Sequence, residues 1–143
     1  MTTPPVGALP KYTLVERAGT ETAETGSVWE PKIGYCRAKR KGNAITVSGT
    51  VGMNADKSFA PDAAAQSRRA LAIIQGAIEA LGGSLRDVVR TRIYMTNISE
   101  WERVAAVHGE VFRETRPATT MVQVAKLIDD AALVEIEADA IVG

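Results

Sequence analysis

The alternation of apolar and polar positions is clearest in the last quarter of the chain. Val134, Ile136, Ala138, Ala140 and Val142 alternate with Glu135, Glu137 and Asp139. Side chains on a strand point to opposite faces with period 2. The spacing predicts a strand with one apolar face and one face carrying carboxylates. In the run before it, Thr120, Val122 and Val124 face one way, and Thr119, Met121, Gln123 and Ala125 face the other. The two runs are expected to lie side by side, joined by a short acidic turn. Together they make a sheet with one apolar face and one mixed face, and chemistry is expected on the mixed face.

The same reading extends back along the chain. Residues 1–10 are rich in Pro, Thr and Gly and are expected to form a loose arm. Tyr12 to Arg17 fits a short strand, and the polar Ala18 to Ser27 reads as a loop. Tyr35 to Arg40, the turn residues Lys41, Gly42 and Asn43, and the β-branched run Ala44 to Val51 predict a hairpin. Asp62 is placed to cap a helix in which Ala63, Ser67, Ala70, Leu71, Ile74, Ala77, Ile78 and Leu81 form one stripe. Gly82 and Gly83 end it. Val88 to Thr96 predicts a strand. Ser99 and Glu102 have capping-box spacing ahead of a second helix that shows Trp101, Val104, Ala105, His108, Val111 and Phe112 on one face. The order β-β-α-β-α-β-β, with one apolar stripe per helix, predicts a single α+β domain over residues 1–143. Its architecture is a single sheet covered on one face by two helices.

Composition narrows the function classes. Seventeen basic and seventeen acidic residues leave the chain formally neutral. That argues against broad electrostatic capture of nucleic acid. No apolar run approaches the ~20 residues of a membrane span. The amino terminus lacks a basic segment followed by an apolar one, so no signal peptide is read and a cytoplasmic location is expected. Cys36 is the single cysteine and fits a reducing compartment. No metal-ligand spacing or phosphate-cradling glycine motif is present, and no cofactor is expected.

Three segments resemble one known family. GYCRAKRKGNAITVSGTV, RRALAIIQGAIEALGGSLRDVVRTRIYMTNISEWERV and RPATTMVQVAKL with ALVEIEADAIV resemble, in collinear order over about residues 33 to 142, the motifs of the Rid family (YjgF, reactive intermediate deaminases). The resemblance implies a chorismate-mutase-like α+β fold with a mixed sheet. It also implies a homotrimer with its sheets inside and a pocket for a small metabolite at each subunit interface. In that family the pocket hydrolyses reactive enamines and imines to keto acids and ammonia. The first Glu of the VEIEA motif, which handles water there, falls at Glu135. The pocket-closing Tyr falls at Tyr35, without the usual preceding proline. The pocket-lining SG pair falls at Ser48 and Gly49. The family's carboxylate-clamping arginine falls at Thr119, and Thr120 and Met121 continue that motif in the binding set. An arginine fork makes two charge-assisted hydrogen bonds where a hydroxyl makes one neutral bond. Losing a charged bond of ~1.5–3 kcal/mol costs roughly one to two decades of affinity.

Arg37 stands where the family usually has Gln. On a strand it would share a face with Tyr35, about 6.6 Å away. It is a candidate replacement cation, expected to pair with Glu135, Glu30 or a bound anion; the alternative is a surface arginine of a basic hairpin. Arg92 is a weaker candidate. His108, on an apolar helix face, reads as a packed histidine, and Cys36 as a small buried side chain. Three functions stay open: a hydrolase of enamines or imines, a non-catalytic small-molecule sensor, and an endoribonuclease. Neutral charge, one unpromising histidine and few aromatic residues argue against the last.

Overall fold

Strands β4 (Ala44–Val51) and β7 (Val134–Ile141) pair antiparallel at the centre of the sheet. Both put β-branched and small side chains on one face: Ile45, Val47, Ile136, Ala138 and Ala140 are buried there. This is the alternation that the sequence predicts, and it locates the core. The computed structural model describes residues 7–143.

Around this pair the sheet has the order β1-β2-β3-β4-β7-β5-β6. The remaining strands are β1 (Thr13–Arg17), β2 (Thr20–Glu24), β3 (Ala38–Lys41), β5 (Val88–Met95) and β6 (Ala118–Gln123). Among the described residues only β5 and β6 pair in parallel, so the sheet is mixed. The helices are α1 (Trp29–Ile33), α2 (Ala63–Ala80) and α3 (Trp101–Phe112). The described residues thus form an α+β protein with one mixed sheet and three α-helices, two of them long.

Helix α2 starts where the sequence indicates. The Asp62 carboxylate accepts from the Ala65 amide at 2.8 Å and satisfies one free donor of the first turn. Its stop is also the expected one: Gly82 takes a left-handed φ of 85°, and the Gly82 and Gly83 amides donate to Glu79 and Ile78. Ala70, Ile74, Ala77 and Ile78 are fully buried against the sheet. Each buried isoleucine contributes about 1.5–3 kcal/mol. Gln66, also fully buried, donates to the Ala60 and Ala131 carbonyls and accepts from the Leu133 amide. It ties α2 to residues 124–133, the connection between β6 and β7.

Several expectations need correction. Residues 18–27 are not all loop: Ala18 and Gly19, both at positive φ, make a two-residue hairpin turn that adds β2 to the sheet. The short helix α1 was not expected. Strand β3 begins at Ala38, so Tyr35 and Arg37 lie in the lead-in rather than on the strand. Strands β6 and β7 are not neighbours, because β5 lies between them. The Ser99 and Glu102 cap is replaced by Asn97, which accepts from the Ser99 amide and opens a short 3-10 turn that runs into α3. Residues 1–6 of the expected loose arm lie outside the described residues. Gly7 and Ala8 are tied down by Arg69, which donates to both carbonyls.

Candidate functional site

The face of the sheet opposite α2 and α3 carries the row Glu135, Glu137 and Asp139 on β7. Two of the three are engaged by side chains of β5. Arg92 lies 3.4 Å from Glu137 and 3.3 Å from Asp139. Tyr94 donates its hydroxyl to Glu137 at 2.9 Å, which pushes the phenol's pKa up. Tyr94 was missed from sequence, although Arg90, Arg92 and Tyr94 alternate in one strand.

Glu135 has no such partner: no ion pair among the described residues includes it. It is held by shape instead. The register of β4 against β7 shifts between Val47 and Thr50. The resulting bulge brings Gly49 under the Glu135 carboxylate. A Cβ at Gly49 would collide with Glu135 Oε1, so glycine is what permits the approach. Burial raises the Glu135 pKa, Arg37 pulls it back, and Glu137 raises it further.

Arg37 sits beside this carboxylate. Its backbone amide donates to Ala23 and its carbonyl accepts from the Ser48 amide. Its Nη2 donates to the Gly49 carbonyl at 2.6 Å, and its Nε is buried without an acceptor. The guanidinium carbon lies 5.7 Å from the Tyr35 ring centroid. The expected ion pairs to Glu135 and Glu30 do not form. The bulge offers the Gly49 carbonyl as the acceptor for Arg37. The Glu30 carboxylate is already spent on Thr25 and on the Ser27 amide. Ser48 donates its hydroxyl to the Cys36 carbonyl at 2.7 Å. The Cys36 thiol pKa is raised by burial, which disfavours a thiolate nucleophile.

Within one chain the structure therefore gathers Tyr35, Arg37, Ser48, Gly49 and Glu135. It does not bring Thr119, Thr120 and Met121 to them. Thr119 and Met121 point to the helix side of β6. Thr119 Oγ1 lies 2.8 Å from Thr91 Oγ1 and 3.5 Å from His108 Nε2, and Thr91 Oγ1 lies 2.9 Å from the same nitrogen. Burial lowers the His108 pKa, and its ring packs 4.7 Å from Phe112. This is the packed histidine that the sequence suggests. Met121 packs against the core. Thr120 is on the open face, but its strand β6 pairs with β5 and so lies two strands from β7, roughly 9.5 Å away.

Next to the Glu135 group lies a cleft of about 730 Å³, lined by Arg17, Glu24, Val28, Tyr35, Cys36 and Lys39 among others. Arg17 and Thr22 hydrogen-bond Glu24 and hold its carboxyl at a pKa of about 2. Among the described residues no group of three or more His, Cys, Asp or Glu is placed to hold a metal ion. Among the described residues no helix is long and apolar enough to cross a membrane.

Comparison with known proteins gives one consistent result. Residues 25–142 match the family described as endoribonuclease L-PSP. The 3-aminoacrylate deaminase RutC of Acinetobacter baylyi is 36% identical, over 74% of this chain and 85% of its own. The 2-iminobutanoate/2-iminopropanoate deaminase of Escherichia coli is 33% identical, over 75% of this chain and 86% of its own. A crystal structure of a YjgF/YER057c/UK114 family member from Mycobacterium tuberculosis is 45% identical with a TM-score of 0.78, covering 92% of this chain and all of the other.

Proposed function

The chain belongs to the endoribonuclease L-PSP family, the family of the YjgF and RutC proteins, and from that premise we propose that it hydrolyses small enamines or imines at a pocket centred on Glu135. The observation that carries this reading is the state of that carboxylate. It is partly buried, unpaired, held over Gly49, and its pKa is raised. Such a group is a better base than an ordinary carboxylate and can take a proton from water and return it to a departing amine. Hydrolysis then needs no oxidant or metal. Water adds to the C=N carbon: a C–O bond forms, the C=N π pair passes to nitrogen, and Glu135 carries the water's proton to that nitrogen. Glu135 then takes the hydroxyl proton as the C=O bond forms and delivers it to nitrogen as the C–N bond breaks, leaving a carbonyl compound and ammonia. The similarity to deaminases of 3-aminoacrylate and of 2-iminobutanoate supports this class of reaction.

In the same reading the protein is a homotrimer with a chorismate-mutase-like fold, working on a small metabolite in the cytoplasm. Its open sheet face is uncovered in the single chain, and a closed oligomer would cover it. An inter-subunit pocket would also let Thr119, Thr120 and Met121 of one copy approach Glu135 of another. The endoribonuclease description is not carried over. The lone histidine faces the helix layer and the chain is neutral. A binding-only reading draws support from one relative, a 26% identical Escherichia coli TdcF solved with bound serine. Keto-acid and ammonia formation from an enamine generated in situ separates the two. We expect turnover with the wild-type protein and a fall of about 10²–10⁴-fold in Glu135→Gln. Binding without turnover would leave a sensor. Light scattering tests the trimer, and a monomer mass at micromolar concentration would refute it.

A further inference from the structure

We propose that the cleft between α1 and strands β1 to β3 receives the remote arm of the substrate, and that this arm is an extended apolar group, aliphatic or aromatic. That the arm belongs to a reacting molecule rests on the hydrolase reading above; the preference for an apolar chain rests on the walls of the cleft alone. Residues 26–34 lead away from β2 and back toward β3. Gly26 and Gly34 turn the chain at φ of 81° and 85°, in the left-handed region that favours glycine. Glu30, 4% exposed, braces the segment from inside. Its carboxylate accepts from the Thr25 amide and hydroxyl and from the Ser27 amide. Its carbonyl accepts from the Gly34 and Tyr35 amides. Among the described residues, the side-chain and turn hydrogen bonds of residues 26–34 all run within 25–35. The segment therefore holds its own shape, and a space of about 730 Å³ remains between it and the strands. Ordinary ligand sites occupy about 300–1,000 Å³, so the cleft has room for much more than the reacting end of a small imine.

The charges on its walls are already committed. Arg17 donates Nε and Nη2 to the Glu24 carboxylate at 2.6 and 3.0 Å, and Thr22 adds its hydroxyl. Glu30 is spent on its own segment. Lys39 is exposed and keeps its charge in water. What is left without a partner is apolar: Val28, 74% exposed, with Pro31, the Tyr35 ring and the Cys36 thiol. Such walls gain from an apolar chain that displaces water. They offer a charged group nothing to replace its hydration.

Tyr35 and Cys36 join the cleft to the site. The Tyr35 ring centroid lies 5.7 Å from the Arg37 guanidinium carbon. The Cys36 carbonyl accepts from Ser48, whose neighbour Gly49 is held by Arg37 and underlies Glu135. An arm attached to a carbon reacting at Glu135 would run past Tyr35 and into the cleft.

The test measures how affinity grows with chain length in methyl ketones, which are uncharged carbonyl products of such a hydrolysis. In calorimetric titration of the wild-type protein, 2-octanone should bind about 10²-fold tighter than 2-butanone, close to fourfold for each added methylene. In Val28→Asp that ratio should fall below about tenfold, and Val28→Leu should keep it. Val28 is the N-cap of α1, a position that favours Asp, so the substitution does not threaten the fold. A second readout uses the unaltered chain. Cys36 is the single cysteine, so its reaction with a methanethiosulfonate reports on the cleft alone. 2-Octanone at a concentration equal to its Kd should halve that rate, and 2-butanone at its own Kd should leave it unchanged. Equal affinity of the wild type for the two ketones overturns the proposal. So does a length preference that Val28→Asp leaves intact, or a Cys36 rate that 2-octanone does not slow. A thiol closed to the reagent in the free protein also overturns it, because another copy of the chain then fills the cleft. Turnover of small enamines without any length preference would refute the cleft and leave the hydrolase reading standing. A length preference without turnover of any enamine would do the reverse.

Discussion

The two edges of the β4-β7-β5-β6 region solve the same problem in opposite ways. At the β4–β7 edge a carboxylate and a guanidinium sit close together without pairing, and donors are left unspent. At the β5–β6 edge, Thr91, Thr119 and His108 satisfy one another through neutral hydrogen bonds. A satisfied neutral network stabilises a fold and asks for nothing more. An unsatisfied charged pair costs stability and gains from a ligand. The difference marks Glu135 and Arg37 as the working end, and makes the threonine–histidine group the structural end within one chain.

The largest effect should come from closing the space under Glu135. Gly49→Ala puts a methyl group where the carboxylate oxygen now lies. The carboxylate must swing away, and a displacement of about 1 Å costs on the order of 10²-fold in rate. Overpacking adds about 1–3 kcal/mol of destabilisation. Turnover of an enamine by the folded fraction is the measurement. Unchanged turnover would mean that the carboxylate's position over Gly49 is irrelevant.

Thr91→Val tests the opposite edge. It keeps the shape but removes the hydroxyl shared by His108 and Thr119. We expect a loss of about 1–3 kcal/mol in denaturant unfolding. Turnover per folded molecule should hold. If turnover instead falls as far as in Gly49→Ala, the contrast breaks, and the Thr119 edge of a neighbouring copy belongs to the site.

The contrast was only half legible in the sequence. Strand β7 shows its alternation because one face is buried along its whole length. Helix α2 announces both ends, through Asp62 and Gly82, since each solves a backbone problem that few residues solve. Strand β2, TETAE, carries no apolar alternation and owes its existence to hydrogen bonds with both neighbours. Helix α1 is too short to show a period and contains Pro31. Strand order is not local information: β6 pairs with β5 across α3, so its nearness to β7 in sequence misled. The site residues ahead of β3 and on β4 and β7 were named from motif positions. The bulge that joins Gly49 to Glu135 has no periodic signal, and Arg37's unspent donor depends on which carbonyl that bulge turns toward it.

The smallest effect, and the one that reports both edges at once, is the pH dependence of stability. Glu135 has a folded pKa above its unfolded value. Its contribution is fully present below the unfolded pKa and is lost as pH rises through the folded one. His108 has a folded pKa below its ordinary 6.5. As pH falls below 6.5 the unfolded chain takes up the proton first, so stability falls until the folded pKa is reached. The two groups therefore tilt the stability curve in opposite directions. Each slope is bounded by about 1.4 kcal/mol per pH unit, and it is smaller at Glu135, whose carboxyl stays partly in water. Urea unfolding across pH 4 to 8 should show Glu135→Gln removing the loss on the rising side, and His108→Gln removing the loss on the falling side. If both substitutions flatten the same limb, the carboxylate and the imidazole are not in opposite environments, and the division between a working edge and a satisfied edge fails.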